Sequence, residues 1–153
     1  MKILHLFISP GHNFFGHHGQ PAGKSPILSV NEIRCVAGRG IEGDRFFDHK
    51  ENYKGQITFF AMEVFLALCE KFQITGLDAS VFRRNVITQG VDLNTLIGQP
   101  FEIQGVKFQG IEECSPCYWM NQAVTEGAEK FLKGLGGLRA HILSDGIIRK
   151  QIQ

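Results

Sequence analysis

Cys114 and Cys117 form the sharpest chemical motif of the sequence, Cys-Ser-Pro-Cys, between an expected strand and an expected helix. Backbone N–H groups at the start of a helix favour a thiolate, which is both a nucleophile and a ligand for soft metals. Ser115 and Pro116 are typical of a surface turn, so a pair of buried core cysteines is disfavoured. We therefore expect one working thiol with an auxiliary neighbour.

Two other interpretations of this pair remain open. A zinc site requires a second pair of ligands, but Cys35 and Cys69 stand alone, without a CxxC or HxxxH motif of their own. A redox-active dithiol of the thioredoxin kind suits a CxxC between a strand and a helix. Its usual context is an early βαβ unit, whereas this motif comes late, after a long β-rich stretch.

We assign no functional role to the remaining cysteines or to the histidines of the first loop. Cys35 and Cys69 fall on apolar faces of expected elements and are predicted to be core residues. The loop histidines could bind a metal, but His residues in a flexible Gly-rich loop are more often solvated. They are His12, His17 and His18.

Arginines beside turns form the second group that could do chemistry. They are Arg45 after Gly43 and Asp44, Arg83 and Arg84 before Asn85, and Arg139 after Gly136 and Gly137. Guanidinium groups on such turns suit the bidentate recognition of phosphate or carboxylate. For any single arginine, a salt bridge with Asp44 that ties two loops together is at least as good an explanation. The combination with a thiol favours an anion-binding site.

The elements that must position these groups are mostly short strands joined by turns. Apolar alternation predicts strands at Lys2–Ile8, 27–37, 56–60 and 84–88, a hairpin over 101–113 bending near Gln104 and Gly105, and a last hairpin of 138–143 and 147–152 around Asp145 and Gly146. Residues 9–26 and 38–45 are predicted loops, and 93–98 a tight turn. This pattern predicts a mainly β, barrel-like α+β fold with a few helices.

Two helices are expected among the strands. Residues 61–72 carry an apolar stripe at helical spacing, and 119–132 form a second helix interrupted by Gly127. The stripe consists of Met62, Phe65, Leu66, Cys69 and Phe72.

The composition of the 153 residues fits one domain, 1–153, with 43% hydrophobic residues for a core that needs no disulfide or structural metal. A net charge of +1 gives no field that would attract nucleic acid or an anionic membrane. We expect no membrane span and no signal segment, because no apolar run is long enough. Four cysteines are then best read as thiols in a reducing cytoplasm.

In their order and spacing, the motifs resemble those of the MOSC family. Domains of this family form the C-terminal part of molybdenum cofactor sulfurases and also occur as free-standing bacterial proteins. The resemblance covers nearly the whole chain. It begins at residues 8–12, passes through 40–45, 56–58, 83–86, 91–93 and 96–98, and closes with 114–117 and 136–140.

The resemblance implies a barrel-like fold of the pyruvate-kinase β-barrel kind and a role in binding the molybdenum cofactor or carrying its sulfur. It implies that Cys117 is the catalytic thiol, as a persulfide acceptor or a molybdenum ligand, with Cys114 auxiliary. The cofactor implied is the pterin dithiolene, a phosphate ester. Its matching candidates are Gly43, Asp44, Arg45, Arg84, Asn85 and Arg139.

The implied activity depends on a protein partner that supplies sulfur or electrons. The family is also associated with pyridoxal phosphate binding, but this sequence shows no pyridoxal-phosphate-dependent desulfurase domain and no iron–sulfur motif. One alternative function is a molybdenum-dependent reductase of N-hydroxylated compounds, fed by an external electron donor. A CxxC dithiol redox protein, which requires both Cys114 and Cys117, is the other.

Overall fold

Residues 1–151, the part of the chain that this computed structural model describes, form a mainly β fold with three α-helices. The strands are β1 Lys2–Ile8, β2 Leu28–Val30, β3 Glu32–Val36, β4 Gly40–Ile41, β5 Ile57–Ala61, β6 Val86–Gln89, β7 Pro100–Ile103, β8 Val106–Glu113, β9 Leu138–Ile142 and β10 Gly146–Arg149. The α-helices are α1 Met62–Phe72, α2 Trp119–Ala123 and α3 Ala128–Leu132, and short 3-10 helices cover Ala79–Phe82 and Leu93–Leu96. The predicted mainly β class is confirmed.

The strands build a curled, half-barrel sheet and a small second sheet. The larger sheet has the order β2-β1-β6-β5-β9-β8-β7, and the smaller one has the order β10-β3-β4. All pairs are antiparallel except β5 and β6, which are parallel because α1 connects them. The CxxC motif follows the antiparallel strand β8 and so lies outside this βαβ unit.

Two hydrophobic cores cover the two faces of the large sheet. Successive strand residues point to opposite faces, so Phe59 packs in the core shared with the small sheet while Phe60 packs against the helices. Val86 and Ile87 divide between the two cores in the same way. Both faces of the central strands are therefore buried, and polar chemistry is confined to the strand ends.

The segments that the sequence singled out meet at one level of the large sheet, where β6 and β9 begin on either side of β5. Phe59 on β5 pairs with Val86, the first residue of β6, and with Leu138, the first residue of β9. Since β6 is parallel and β9 antiparallel to β5, the two strands run from this level in opposite directions. Leu6, near the end of β1, pairs with Val86, and Glu113, the end of β8, pairs with Leu138. The long loop 9–26 and the CxxC motif therefore leave their strands near the same level.

The predicted final hairpin is wrong. β10 pairs with β3 in the small sheet, and β9 pairs with β5 and β8. The Asp145-Gly146 sequence serves other purposes: the Asp145 carboxylate accepts a hydrogen bond of 2.8 Å from the Ala37 backbone N–H, and a Cβ on Gly146 would lie 2.6 Å from Val106 Cγ2. Gly146 thus permits close packing between the sheets. Residue 152, the predicted end of this strand, lies outside the described residues.

Other predicted elements are present with different bounds. The strand over 27–37 is broken at Asn31 into β2 and β3, the expected loop over 38–45 contains β4, and the turn over 93–98 contains a 3-10 helix. The expected single helix over 119–132 is two five-residue helices, because Gly127 has φ +89°. In α1 the predicted apolar stripe is partly wrong, since Leu66 is 55% exposed and Leu68 is buried in its place.

Gly137 offers a test of how tightly the large sheet is built. Its φ is +99°, and a Cβ at this position would lie 2.1 Å from the Phe59 carbonyl oxygen. Gly134 also has a positive φ, +78°, but a Cβ there would meet nothing within 4 Å. Gly137→Ala should therefore cost about 1–3 kcal/mol more in the free energy of unfolding than Gly134→Ala, measured by urea denaturation. Equal losses in the two variants would contradict the close approach.

Candidate functional site

A buried carboxylate and a buried amide form the foundation of the site. Asp44 Oδ1 accepts hydrogen bonds from the Ser9 backbone N–H at 3.0 Å and from Asn85 Nδ2 at 3.3 Å. Asn85 Oδ1 accepts from both the N–H and the hydroxyl of Thr58, at 3.0 and 2.9 Å, and Asn85 Nδ2 also donates to the Phe7 carbonyl. These bonds join β1, β5, β6 and the turn that follows β4.

Arg83 extends from this foundation with its guanidinium almost fully buried. Its backbone has φ +54°, and the whole residue is 5% exposed. Nη2 donates to the Ser9 hydroxyl at 2.6 Å and to the Gly11 carbonyl at 2.7 Å, whereas Nη1 has no hydrogen-bond partner within residues 1–151. Burial, followed by repulsion from Arg45, lowers the pKa of Arg83 to about 10. The group is still charged at neutral pH and has an unused donor.

Three further arginines surround Arg83, and together the four are called the arginine cluster: Arg45, Arg83, Arg84 and Arg139. Arg45 lies 3.4 Å from the Asp44 carboxylate and over the Phe46 ring. Within residues 1–151, Arg84 donates only to backbone carbonyls, those of Phe82, Cys114 and Gly136, at 3.0–3.3 Å. Arg139 pairs with Glu112 at 3.2 Å, but Glu112 also binds Lys54 at 2.8 Å. The cluster therefore keeps an excess of positive charge.

Two adjoining cavities open beside the arginine cluster. One, of about 150 Å³, is called the Cys117 cavity; the other, of about 170 Å³, is called the Cys114 cavity. Both are lined by the whole arginine cluster and by Phe14. Among the residues that the structure describes, no Asp or Glu lines either of them. A cavity with four guanidinium groups and no facing carboxylate favours anions.

The two cysteines of the CxxC motif differ in their surroundings. Cys117 is exposed and lines its cavity with Ser115, Pro116 and Met120. Cys114 is 2% exposed, and its backbone is fixed by a 2.8 Å bond from its N–H to the Gly137 carbonyl. The helix after the motif, α2, has only five residues, so the nearby guanidinium groups are the stronger source of positive charge.

The other two cysteines lie where the sequence predicted. Cys35 is completely buried in the core between the sheets, and burial raises the pKa of its thiol to about 12. Cys69 is half-buried on α1 against the helical core, and burial also raises its pKa. Neither lines the cavities beside the arginine cluster.

An aromatic wall completes the Cys114 cavity, and the sequence analysis did not assign it a role. The side chains of His12, Phe15, Phe46 and Tyr53 line the cavity, and His49 packs against them; neighbouring rings lie 4.8–6.0 Å apart. His12 was interpreted as a solvated loop residue, but it lines the cavity. Burial, then repulsion from Arg45 and His49, lowers its pKa. The aromatic residues spaced through 46–53 could have indicated part of this wall from the sequence. No local pattern connects them with His12, which only the fold brings close.

The predicted site residues separate into two groups. Cys117, Arg45, Arg84 and Arg139 all line the Cys117 cavity. Gly43, Asp44 and Asn85 line neither cavity: Gly43 has φ +84° in the turn after β4, and the side chains of Asp44 and Asn85 are bonded inside the protein. These residues support the arginines from behind.

Three features of the rest of the described residues complement the site. Within residues 1–151, no three His, Cys, Asp or Glu side chains converge in a way that could hold a metal ion. A larger cavity of about 470 Å³, near Val64 and Leu135, has no cysteine, histidine or arginine in its lining. None of the helices in the same residues is long and apolar enough to cross a bilayer.

An exposed thiol beside arginine-lined cavities, which no described Asp or Glu lines, defines a β-rich domain suited to a thiophilic, anionic ligand. The MOSC domain model matches residues 17–150, and the chain therefore belongs to the MOSC domain family. This family is associated with molybdenum cofactor binding. The predicted family is confirmed.

Solved structures share the fold. The YuaD protein from Bacillus subtilis superimposes with a TM-score of 0.74 and 17% identity, over 97% of this chain and 91% of that one. YiiM from Escherichia coli gives 0.66 and 17%, and YiiM from Geobacillus stearothermophilus gives 0.69 and 15%. This chain is covered to 97% in both, but it spans only 66% and 70% of those proteins. A search of curated proteins found no match.

Thiol accessibility can be tested by alkylation. We expect iodoacetamide at pH 8 to modify Cys117 in a fast phase and to leave Cys35 unmodified until the protein unfolds, because Cys35 is buried and its pKa is about 12. Peptide mass spectrometry follows each site. Cys117→Ser should remove the fast phase and Cys69→Ser should not; a fast phase that survives Cys117→Ser contradicts the described exposure.

The environment of His12 can be tested by NMR. Its pKa is lowered first by burial and then by Arg45, so the ring should titrate below pH 6.5. Arg45→Gln should raise the midpoint, whereas Arg39→Gln, at an exposed arginine, should not. Since the folded pKa is below the unfolded one, this group destabilises the fold as the pH falls through 6.5. A midpoint unchanged by Arg45→Gln would exclude the predicted coupling.

Proposed function

We propose that this MOSC domain binds the molybdenum cofactor, with its phosphate ester in the arginine cluster and the Cys117 thiolate as acceptor of sulfur or ligand of molybdenum. The observation that carries the proposal is the Nη1 of buried Arg83, which has no hydrogen-bond partner among residues 1–151, within a cluster of four guanidinium groups beside an exposed thiol. A buried donor without a partner costs about 1–3 kcal/mol. A bound anion would remove that cost.

The residues present fit the chemistry of this cofactor. A phosphate ester offers several acceptor oxygens, and Arg45, Arg84 and Arg139 supply donors that line one cavity together with Arg83. A thiolate is a suitable ligand for a soft metal–sulfur centre. When bound, the cofactor would supply a redox-active molybdenum centre with sulfur ligands, which the protein side chains do not provide.

The protein's own residues would hold, orient and shield this ligand. Asp44 and Asn85 fix the backbone from which Arg45 and Arg84 extend, so they act as positioning residues. Phe14 stacks on Trp119 at 5.0 Å and brings the long loop over the edge of both cavities. Burial raises the pKa of Tyr53 and lowers that of His12, so at neutral pH these two side chains are uncharged beside the cationic cluster.

A protein partner that supplies sulfur or electrons is part of the proposal. A sulfur carrier would receive sulfane sulfur at Cys117, the exposed thiol of the site. The reductase alternative uses the same binding site but requires electrons. Reconstitution with cofactor and a flavin-type reductase, followed by an assay on an amidoxime or a hydroxylated purine, separates the two functions.

Cofactor retention tests the proposed binding site. Purified protein incubated with molybdopterin and then gel-filtered should retain it stoichiometrically, measured by fluorescence of the oxidised pterin. Arg84→Ala should weaken binding about 10–100-fold, the equivalent of one charged hydrogen bond. Cys117→Ser should also weaken it, because a thiolate ligand is lost.

Matched controls make this result specific. Arg34→Ala removes an arginine from β3 whose side chain is 63% exposed, so it should retain cofactor normally. Because Arg84 also holds three carbonyls, Arg139→Gln serves as a second test, with thermal unfolding as a check on folding. Normal retention in both Cys117→Ser and Arg84→Ala would rule the proposed site out.

A further inference from the structure

The motif presents two thiols to two cavities that share one wall. Cys117 lines one cavity and Cys114 lines the other, and the arginine cluster with Phe14 lines both. The thiols are three residues apart in a segment without regular secondary structure. Both sulfur atoms therefore belong to one cationic site, and they approach it from different sides.

The two thiols differ in access and in rigidity. Cys117 is exposed at the surface turn, where a sulfur donor can reach it. Cys114 is 2% exposed, its N–H donates to Gly137, and its carbonyl accepts from Arg84 at 3.3 Å. A fixed, shielded sulfur is suited to holding a reactive group, because bulk water and competing thiols are kept away.

Positive charge lies beside the Cys114 side chain in its cavity. Cys114 lies beside Arg139: although burial disfavours the charged form of Arg139, the thiol, Tyr53 and Glu112 together raise the pKa of that guanidinium. Arg83 lines the same cavity, and its Nη1 lacks a partner among the described residues. A persulfide anion on Cys114 would thus face two cations, one of which has an unused donor.

We propose that Cys114 is a second sulfur-handling residue: Cys117 accepts sulfane sulfur at the surface and Cys114 takes it over into the arginine-lined Cys114 cavity. This inference rests on the proposed sulfur-carrier function and deepens it. It assigns Cys114 a role that the sequence analysis, which treated it as auxiliary, did not.

The transfer balances without any external oxidant. The Cys117 thiolate first attacks the terminal sulfur of a polysulfide or of a partner's persulfide, the S–S bond of the donor breaks, and the shortened polysulfide or the partner thiolate leaves. Cys117 Sγ then carries one terminal sulfur. The Cys114 thiolate attacks that terminal sulfur, so a Cys114 Sγ–S bond forms, the Cys117 Sγ–S bond breaks and the Cys117 thiolate leaves. One S–S bond replaces another, and the charge of the attacking thiolate leaves with Cys117. Transfer of the persulfide proton to the Cys117 thiolate then places the negative charge on the persulfide of Cys114.

The experiment uses the reduced full-length protein and inorganic polysulfide, without cofactor. Samples are quenched with iodoacetamide over time, and fragment ions of the tryptic peptide 108–130 show which cysteine carries the additional mass of about 32 Da. We expect the label on Cys117 at early times and on Cys114 at equilibrium. Arg139→Gln should shift the equilibrium back towards Cys117.

Two substitutions complete the test, with thermal unfolding to confirm that each variant folds. Cys114→Ser should leave the label on Cys117, and Cys117→Ser should slow the labelling of Cys114 at least about tenfold, because direct access is poor. Three results would overturn the relay. They are label remaining on Cys117 in the wild-type protein, undiminished labelling of Cys114 in Cys117→Ser, and a product about 2 Da lighter, in which Cys114 attacks the inner sulfur and forms a disulfide.

Failure of this relay can be distinguished from failure of the proposed function. Retention of molybdopterin is measured without polysulfide, and the relay is measured without cofactor. A protein that retains cofactor but never labels Cys114 keeps the binding proposal and loses the relay. Cys35 and Cys69 are internal references, since neither lines the site.

Discussion

Mutual repulsion of four guanidinium groups is the constraint on which the site depends. Like charges brought together out of water must be compensated, and here the compensation is incomplete. Asp44 supplies a buried carboxylate beside Arg45, while Arg83 and Arg84 are held mainly by backbone carbonyls and a hydroxyl. Carbonyl dipoles fix the guanidinium groups without neutralising them. The positive charge that remains is what makes the strand ends receptive to an anionic ligand.

The same bonds that support the arginines also close the fold. Asn85 joins three strands and the turn after β4, through Thr58, Phe7 and Asp44. Ser9 contributes its N–H to Asp44 and its hydroxyl to Arg83. Stability and ligand recognition therefore share one hydrogen-bond network. Substitutions of Asp44 or Asn85 would affect both, which is why the binding tests rest on the arginines and the thiol.

Local patterns in the sequence predicted where helices and strands lie better than they predicted which strands pair. The first strand, the Gln104-Gly105 hairpin and α1 follow from alternation, turn residues and helical spacing, which act over a few residues. The pairing of β10 with β3 does not follow from such local patterns. Gly146 is needed there because Val106, on another strand, packs too closely for a larger residue. Likewise, Cys117 and the arginines were identifiable from residue type. The buried position of Cys114 and the approach of His12 depend on long-range packing.

The stacking of Phe14 on Trp119 has a practical consequence. Trp119 is the sole tryptophan of the chain; its ring lies 5.0 Å from that of Phe14 in the long loop, and α2, which it begins, follows Cys117 by two residues. Any movement of the loop away from α2 changes the polarity around the indole. Intrinsic fluorescence is thus a built-in optical reporter of the position of the loop relative to α2, and it needs no label.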